Sequence, residues 1–327
     1  MVYIYRKVAG DKQYYYLRAS KRKGNRIISK DLAYLGNSIE EVKKNLAGQN
    51  KEQIRKAYKT INKFFESNHF LEEAKQLKQR KDEYLPEKLD EIEACRLHFN
   101  SVFQKKDELT KKEIWKNFVI EFAFNTTSIE GNTIKLNEAR NLLQEGLTPK
   151  NKTLREIYDV QNTEKVFMNL SKEKLTHELV IKIHDSLLEN IDARKGYRTE
   201  EVRVLRSNFK ATPFPYVRAD MELLIKWYNQ NKTLHPFVLA VIFHHKFEKI
   251  HPFMDGNGRT GRMLMNYILM AHNYLPFVFY NKARLEYLQT LRRADSSNPL
   301  EAKKEHYLPL VLFSAGQMLE SYWNIFL

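Results

Sequence analysis

Twelve consecutive residues, 251–262, combine side chains that could act together on an anionic substrate. They read His-Pro-Phe-Met-Asp-Gly-Asn-Gly-Arg-Thr-Gly-Arg. An imidazole ordinarily titrates near neutrality, so His251 suits the role of a proton acceptor. Asp255 offers the hard carboxylate oxygen that Mg²⁺ prefers when it is bound together with phosphates. These residue types favour chemistry at a phosphate group.

The Gly256-Asn257-Gly258 turn stands at the predicted start of a helix. Backbone N–H groups at such a start point at anions, and the helix dipole adds partial positive charge there. Arg259 and Arg262 are three residues apart, so on a helix they share a face and can reach one polyphosphate. The alternative is a glycine-rich helix start with surface arginines and no bound anion. It would require these residue types to occur in this order by chance.

Apolar residues at helical spacing predict the elements that hold this loop, beginning near residue 110. One helix precedes the loop and another follows it, and residues 196–217 switch to short extended runs. The helices are predicted over residues 137–145, 153–169, 175–189, 220–230, 235–249, 257–272, 282–294 and 307–323. The sequence therefore predicts a helical bundle with one extended insertion.

The first hundred residues have a different pattern. Residues 2–35 alternate and are rich in tyrosine, with turn signals at Gly10-Asp11 and Gly24-Asn25, which predicts about three antiparallel strands. Residues 39–83 and 87–107 are helical in pattern, and Pro86 separates them. We predict a mainly α protein with a β-sheet module over 1–38, a helical linker over 39–108 and a catalytic domain over 109–327.

Charge is distributed unevenly along the chain. The formal net charge is +15, and residues 1–60 contain 15 Lys and Arg against 5 Asp and Glu. Such a basic end suits nucleic acid, an acidic partner or a solvated surface, and the solvated surface is the simplest interpretation. The single cysteine excludes an internal disulfide framework. No signal peptide or membrane span is apparent, so we expect a cytoplasmic protein without a membrane partner.

Residues 251–262 match the Fic motif, His-Pro-Phe-x-[Asp/Glu]-Gly-Asn-Gly-Arg-x-x-Arg, at every defined position. The run from Leu234 to Ile250 resembles the helix that leads into a Fic loop, and Gly196-Tyr197-Arg198 resembles the start of the flap hairpin. The segment 126–132 resembles the [Ser/Thr]-x-x-x-Glu-[Gly/Asn] inhibitory motif of autoinhibited Fic proteins. The resemblance covers roughly residues 110–320.

This resemblance implies a Fic-type helical bundle that transfers AMP from Mg-ATP to a Ser, Thr or Tyr hydroxyl of a target protein, with the protein itself among the candidate targets. His251 would deprotonate the hydroxyl and Asp255 would hold Mg²⁺. The nucleotide would be bound by Gly256, Asn257, Gly258, Arg259 and Arg262, with Asn257 and the arginines also stabilising charge on the phosphates.

The resemblance also implies regulation and docking. Glu130, on an inhibitory helix over about 115–130, would pair with Arg262 and displace the γ-phosphate. The alternative is that Glu130 only ends a helix, with Gly131 as its left-handed cap. A flap over about 196–217 would use Val202, Arg203 and Val204 to pair with a strand of the target.

Three questions remain open on the sequence. Asp295 stands where many Fic proteins carry an adenine-contacting Asn, which puts the nucleotide preference in doubt, and Tyr287 is the candidate for stacking on the base. The same site could remove AMP, with Glu130 orienting a water, or the basic amino-terminal module could make the chain a nucleic-acid-binding regulator. The sequence does not decide whether the chain forms a homo-oligomer.

Overall fold

A computed structural model describes residues 2–10, 12–24, 26–49, 51–77, 82–170, 173–202, 210–297 and 301–327. Its amino-terminal part is a three-stranded antiparallel sheet of β1 (Val2–Ala9), β2 (Lys12–Lys23) and β3 (Arg26–Gly36), in the order β1-β2-β3. This confirms the predicted sheet. The β2–β3 pairing shifts register between Tyr15 and Tyr16 and again between Leu17 and Arg18.

The rest of the described chain is mainly helical, as predicted. Its α-helices are α1 (Ile39–Ala47), α2 (Lys51–Lys56), α3 (Tyr58–Gln76), α4 (Leu89–Ser101), α5 (Glu108–Ile129), α6 (Leu136–Glu145), α7 (Leu154–Met168), α8 (His177–Leu187), α9 (Val217–Gln230), α10 (Pro236–Ile250), α11 (Asn257–Ala271), α12 (Arg284–Ala294) and α13 (Lys304–Ile325).

Helix α10 lies at the centre of the body. All residues from 237 to 247 are buried, as expected for a helix that is apolar on every side. It packs against α9, α11 and α13. This central helix leads directly into the loop 251–262, so the loop begins on one of the most completely buried elements of the protein.

The sheet has its own smaller core. Tyr15, Leu17 and Leu35 pack with residues of α1 and α3 on one face of the sheet. Helix α3 joins this unit to the body, where Lys63 Nζ lies 2.9 Å from Asn324 Oδ1 near the end of α13. The opposite face of the sheet is not covered by these helices.

Two predicted boundaries differ in the structure. Helix α5 begins at Glu108 rather than near residue 115, because the Asp107 side chain caps it by accepting from the Thr110 N–H at 2.9 Å. In the predicted flap, residues 196–202 and 210–213 form no strand, and a 3-10 turn over Phe214–Tyr216 leads into α9. Residues 203–209 lie outside the described residues.

Within the described residues, no helix is both long enough and apolar enough to cross a membrane.

Candidate active site

The loop 251–262 connects the end of α10 to the start of α11. His251 caps α10 in the left-handed conformation, with φ of 54°, and Gly256 precedes α11 with φ of 74°. The Asn257 side chain fixes the turn between them, because its Oδ1 accepts from the Phe253 N–H at 2.9 Å and its Nδ2 donates to the Phe253 carbonyl at 2.8 Å. These bonds give the loop a single closed shape.

The Asn257 side chain, expected to contact a phosphate, has partners within the loop. It is 2% exposed, and both of its polar atoms bind loop backbone. The first intrahelical bond of α11 runs from the Thr260 N–H to the Gly256 carbonyl. The backbone N–H groups of residues 257–259 therefore have no intrahelical acceptor and can bind an anion.

Two glycines leave room for close approach at this helix start. A side chain at Gly256 would lie 2.5 Å from Leu188 Cδ2, and φ is positive there. A side chain at Gly258 would overlap the Glu130 carboxylate. An acidic side chain from α5 thus lies against the backbone of the α11 amino terminus.

Arg262 is held by α5. It is 2% exposed, and its Nη2 donates to Glu130 Oε1 at 2.6 Å while its Nε donates to Thr126 Oγ1 at 2.7 Å. Burial alone would lower the pKa of Arg262, but the carboxylate of Glu130 raises it above its ordinary value. The guanidinium is therefore a fully charged group whose geometry is set by one neighbouring helix.

Sequence reasoning missed a buried acid beneath Arg262. Burial raises the pKa of Glu248 to about 8, although Arg262 opposes the shift. Glu248 Oε1 and His244 Nδ1 lie 3.9 Å apart, and each would lie within 3 Å of a side chain at Gly261. The available signal was a carboxylate within the mostly buried run of α10, three residues before His251.

His251 follows Glu248 by three residues and is partly buried. Burial lowers the pKa of the His251 imidazole, which keeps it neutral at neutral pH. Its Nδ1 lies 3.4 Å from the Glu248 carbonyl oxygen. The buried Arg198 holds the same turn, because its Nε donates to the His251 carbonyl at 2.8 Å and its N–H donates to the Pro252 carbonyl at 2.9 Å.

Arg259 and Asp255 belong to a second charged cluster. Arg259 is 3% exposed and forms an ion pair with Asp159 of α7. Asp255 forms an ion pair with Arg155 of the same helix, and its Oδ1 lies 3.7 Å from Arg259 Nη2. Burial opposes ionisation of Asp255, but Arg259 and Arg155 lower its pKa below the ordinary value. Asp159 carries no motif that the sequence could have revealed.

The fit of a magnesium ion rests on one carboxylate. No group of three or more His, Cys, Asp or Glu side chains that could hold a metal occurs in the described part of the chain. The Asp255 side chain is 33% exposed and ionised, while Arg155 is 57% exposed and free to swing aside. This fits Mg²⁺ that takes most of its ligands from phosphate and water.

The remaining predicted residues are not all at the loop. Tyr287 is 2% exposed and its hydroxyl contacts His244 Nε2 at 2.7 Å, so it offers no open face for stacking on a base. Val202 is partly buried beside the described end of the flap segment, whereas Arg203 and Val204 lie outside the described residues. Asp295 Oδ1 binds His245 Nε2 at 3.1 Å.

Residues 174–269 match the Fic/DOC family. The span contains the loop together with α8, α9, α10 and most of α11. This segment is a Fic domain. The matched span includes His251, the helix start at Gly256 and both arginines of the loop.

Relatives and solved structures agree with it. Protein adenylyltransferase fic-1 of Caenorhabditis elegans is 32% identical over 183 residues, 53% of this chain and 36% of the relative. A probable protein adenylyltransferase of Aquifex aeolicus is 33% identical over 145 residues, 44% of this chain and 43% of the relative. The chain thus spans less than half the length of these relatives.

A Fic-domain-containing signalling protein from Bacteroides thetaiotaomicron has a similar fold. It aligns with a TM-score of 0.64 at 25% identity, over 71% of this chain and 94% of the other. Fic-1 from C. elegans aligns with a TM-score of 0.60 at 21% identity, over 88% of this chain and 77% of the other, which shows a shared fold.

Proposed function

We propose that this protein transfers AMP from Mg-ATP to a Ser, Thr or Tyr hydroxyl of a protein, and that Glu130 holds it inactive. One observation carries the proposal. The amino terminus of α11 is an anion-binding site, and the anion that lies there is the carboxylate of Glu130, paired with Arg262 at 2.6 Å. The protein thereby occupies its own phosphate site.

The loop supplies the parts that phosphoryl-group chemistry needs. The N–H groups of residues 257–259 stabilise negative charge that develops on the α-phosphate. The hydroxyl oxygen forms a bond to the α-phosphorus while the bond from the α-phosphorus to the β-phosphate oxygen breaks. Arg259 and Arg262 stabilise the two outer phosphates, which leave as pyrophosphate. Asp255 holds Mg²⁺, which neutralises phosphate charge when bound. Catalysis then consists mainly of positioning and electrostatics.

His251 acts as the base that receives the hydroxyl proton. Its buried imidazole stays neutral at neutral pH because its pKa is lowered. The carbonyl of Glu248 near Nδ1 favours a proton on that nitrogen, which directs the lone pair of Nε2 toward the incoming alcohol. Arg198 keeps the ring in place by binding the His251 carbonyl.

Inhibition follows from the same geometry. Because Arg262 is bound by both Thr126 and Glu130, a γ-phosphate would have to displace the carboxylate to reach the guanidinium. The carboxylate also repels that phosphate. ATP then binds in a pose unsuited to in-line attack, and transfer awaits removal of Glu130 from Arg262.

The test is transfer by the Glu130→Gly protein, incubated with Mg²⁺ and each of four NTPs and examined by mass spectrometry. We expect a covalent nucleotide adduct on this chain or an added protein, with ATP as the donor and far less adduct from wild type. Glu130→Gln is the matched control, since it keeps the side-chain volume but removes the charge that pairs with Arg262. His251→Ala added to Glu130→Gly must abolish transfer. Absence of any adduct from Glu130→Gly would refute the proposal.

Removal of AMP is the second candidate function. It is favoured by the Glu130 side chain, which is 43% exposed and so can contact water beside the phosphate site. In that case wild type would release AMP from a modified protein and Glu130→Gly would not. The same pair of proteins therefore separates the two activities.

A further inference from the structure

The hairpin of β2 and β3 extends beyond β1. The first residue of β1 in the pairing, Val2, lies opposite Ala19. Past that point, within the residues that the structure describes, β2 pairs with β3 alone, from Ser20 with Ser29 to Lys23 with Arg26. Residues 20–23 and 26–30 therefore form a projecting two-stranded ribbon, here called the basic ribbon.

The charge of the basic ribbon is entirely positive. Between residues 12 and 30 the sequence has no Asp or Glu. The ribbon's five cationic side chains are all exposed; they are Lys21, Arg22, Lys23, Arg26 and Lys30. The next acid along β3, Asp31, is already bound to Arg18 at 2.5 Å. The ribbon thus has a surplus of cations without local neutralisation.

Four of these cations, Lys21, Lys23, Arg26 and Lys30, share one face of the ribbon, because residues paired across the two strands lie on the same face. Consecutive residues of a strand point to opposite faces, so Arg22 points away from Lys21 and Lys23. Two exposed apolar residues follow the same rule, since Ile27 is 74% exposed and Ile28 is 54% exposed. A membrane or a flat acidic protein could contact the four cations of one face but would leave Arg22 without an anion.

A ligand that surrounds the ribbon with negative charge uses both faces. The major groove of B-DNA, about 12 Å wide, admits a two-stranded β-ribbon and has phosphates along both walls. The A-form major groove of duplex RNA is too narrow and deep for this. We propose that the basic ribbon binds in the major groove of double-stranded DNA, with its lysines and arginines on the phosphates of both strands.

The sheet base gives this ribbon a fixed direction. Tyr15 and Leu17, in the same strand β2, are 1% exposed in the core beneath the sheet. The ribbon therefore extends from a sheet that is already packed on helices. Binding would not have to order a disordered segment first. This binding does not depend on the proposed transfer activity.

The test measures binding of the full chain to a short fluorescein-labelled DNA duplex by fluorescence anisotropy. The variant Lys21→Gln, Lys23→Gln, Arg26→Gln should bind the duplex about tenfold or more weakly than wild type. Its plot of log affinity against log salt should be shallower by about 0.9 for each phosphate that the variant no longer neutralises. His251→Ala should bind DNA like wild type, which separates this property from catalysis.

A matched variant removes the same charge elsewhere. Lys44→Gln, Lys51→Gln, Lys226→Gln alters exposed lysines of α1, α2 and α9, and it should bind DNA within about twofold of wild type. If both triple variants lost the same DNA affinity, the proposal would be overturned. The loss would then depend only on the net charge of the protein and not on the position of the basic ribbon.

Competing ligands complete the test. Single-stranded DNA, duplex RNA, a polyglutamate peptide and phosphatidylserine vesicles should each bind more weakly than the DNA duplex at equal salt. Tighter binding of any one of them, abolished in the ribbon variant, would assign the surface to that class instead and overturn the DNA proposal. Circular dichroism of each variant confirms that the sheet remains folded.

Discussion

The loop 251–262 and the basic ribbon both use arginine, but in opposite settings. Arg262 is 2% exposed and bound to a carboxylate and to Thr126, whereas Arg26 is exposed at the end of a strand. A buried guanidinium must have fixed partners, since an unpaired buried charge is strongly destabilising. An exposed guanidinium is solvated and needs no protein partner. Arg262 is therefore held in one geometry by its partners, whereas the Arg26 guanidinium remains solvated.

The largest expected contrast is between these two arginines. Arg262→Gln should lower the free energy of unfolding by about 2–4 kcal/mol, because the buried hydroxyl and carbonyl of Thr126 lose their donor. The Glu130 carboxylate is 43% exposed and adds little, since water solvates it in place of the cation. Arg26→Gln should change it by less than about 0.5 kcal/mol. Urea denaturation followed by tryptophan fluorescence measures both, and similar losses would contradict the contrast.

Acid should remove one stabilising contribution from the body, that of the neutral, buried His98. Burial lowers the pKa of His98 to about 4 from its ordinary 6.5, and no histidine occurs in residues 1–60. Between those pH values the unfolded state binds the extra proton, so stability is lost as pH falls from 6.5 to about 4. The loss from His98 alone is about 3 kcal/mol. The raised pKa of Glu248 acts in the opposite direction between about pH 8 and 4.5. The measurement is therefore the difference between the thermal melts of wild type and His98→Gln across this range, which should shrink as pH falls.

The smallest contrast compares two glycines with similar backbones. Gly256 has φ of +74° and Gly24 has φ of +61°, but only Gly256 has a neighbour, Leu188, in the space that a side chain would fill. Replacement by Ala should cost about 1–2 kcal/mol at either position because of the left-handed conformation. Gly256→Ala should lose about 1–3 kcal/mol more through overpacking. Equal losses of unfolding free energy in urea denaturation would show that the Leu188 side chain moves aside at no cost.

Much of the active loop could be predicted because its chemistry is local. His251, the helix start at Gly256 and the arginine pair lie within one short segment, and a turn followed by a helix brings them together without help from the rest of the chain. Helices α10 and α11 were predictable for the same reason, since their apolar residues recur at helical spacing. The alternation of residues 2–35 likewise indicated the sheet.

Other features depended on residues distant in the sequence. The sequence assigned the Asn257 amide to the phosphate, but folding turned it onto the Phe253 backbone. Tyr287, a candidate for base stacking, was buried against His244. Glu248 and Asp159 carried no motif, yet one lies beneath Arg262 and the other binds Arg259. Each outcome depends on which helices pack together.

The sequence by itself determined which reactive side chains lie together in the loop 251–262, because their spacing along one turn and one helix fixes their relative positions. Only the tertiary structure decided which of them are available. Helix α5 packs so that Glu130 reaches Arg262, and β2 and β3 extend past β1 so that five cations project together. Side-chain partners across elements are set by packing, which is a property of the whole chain.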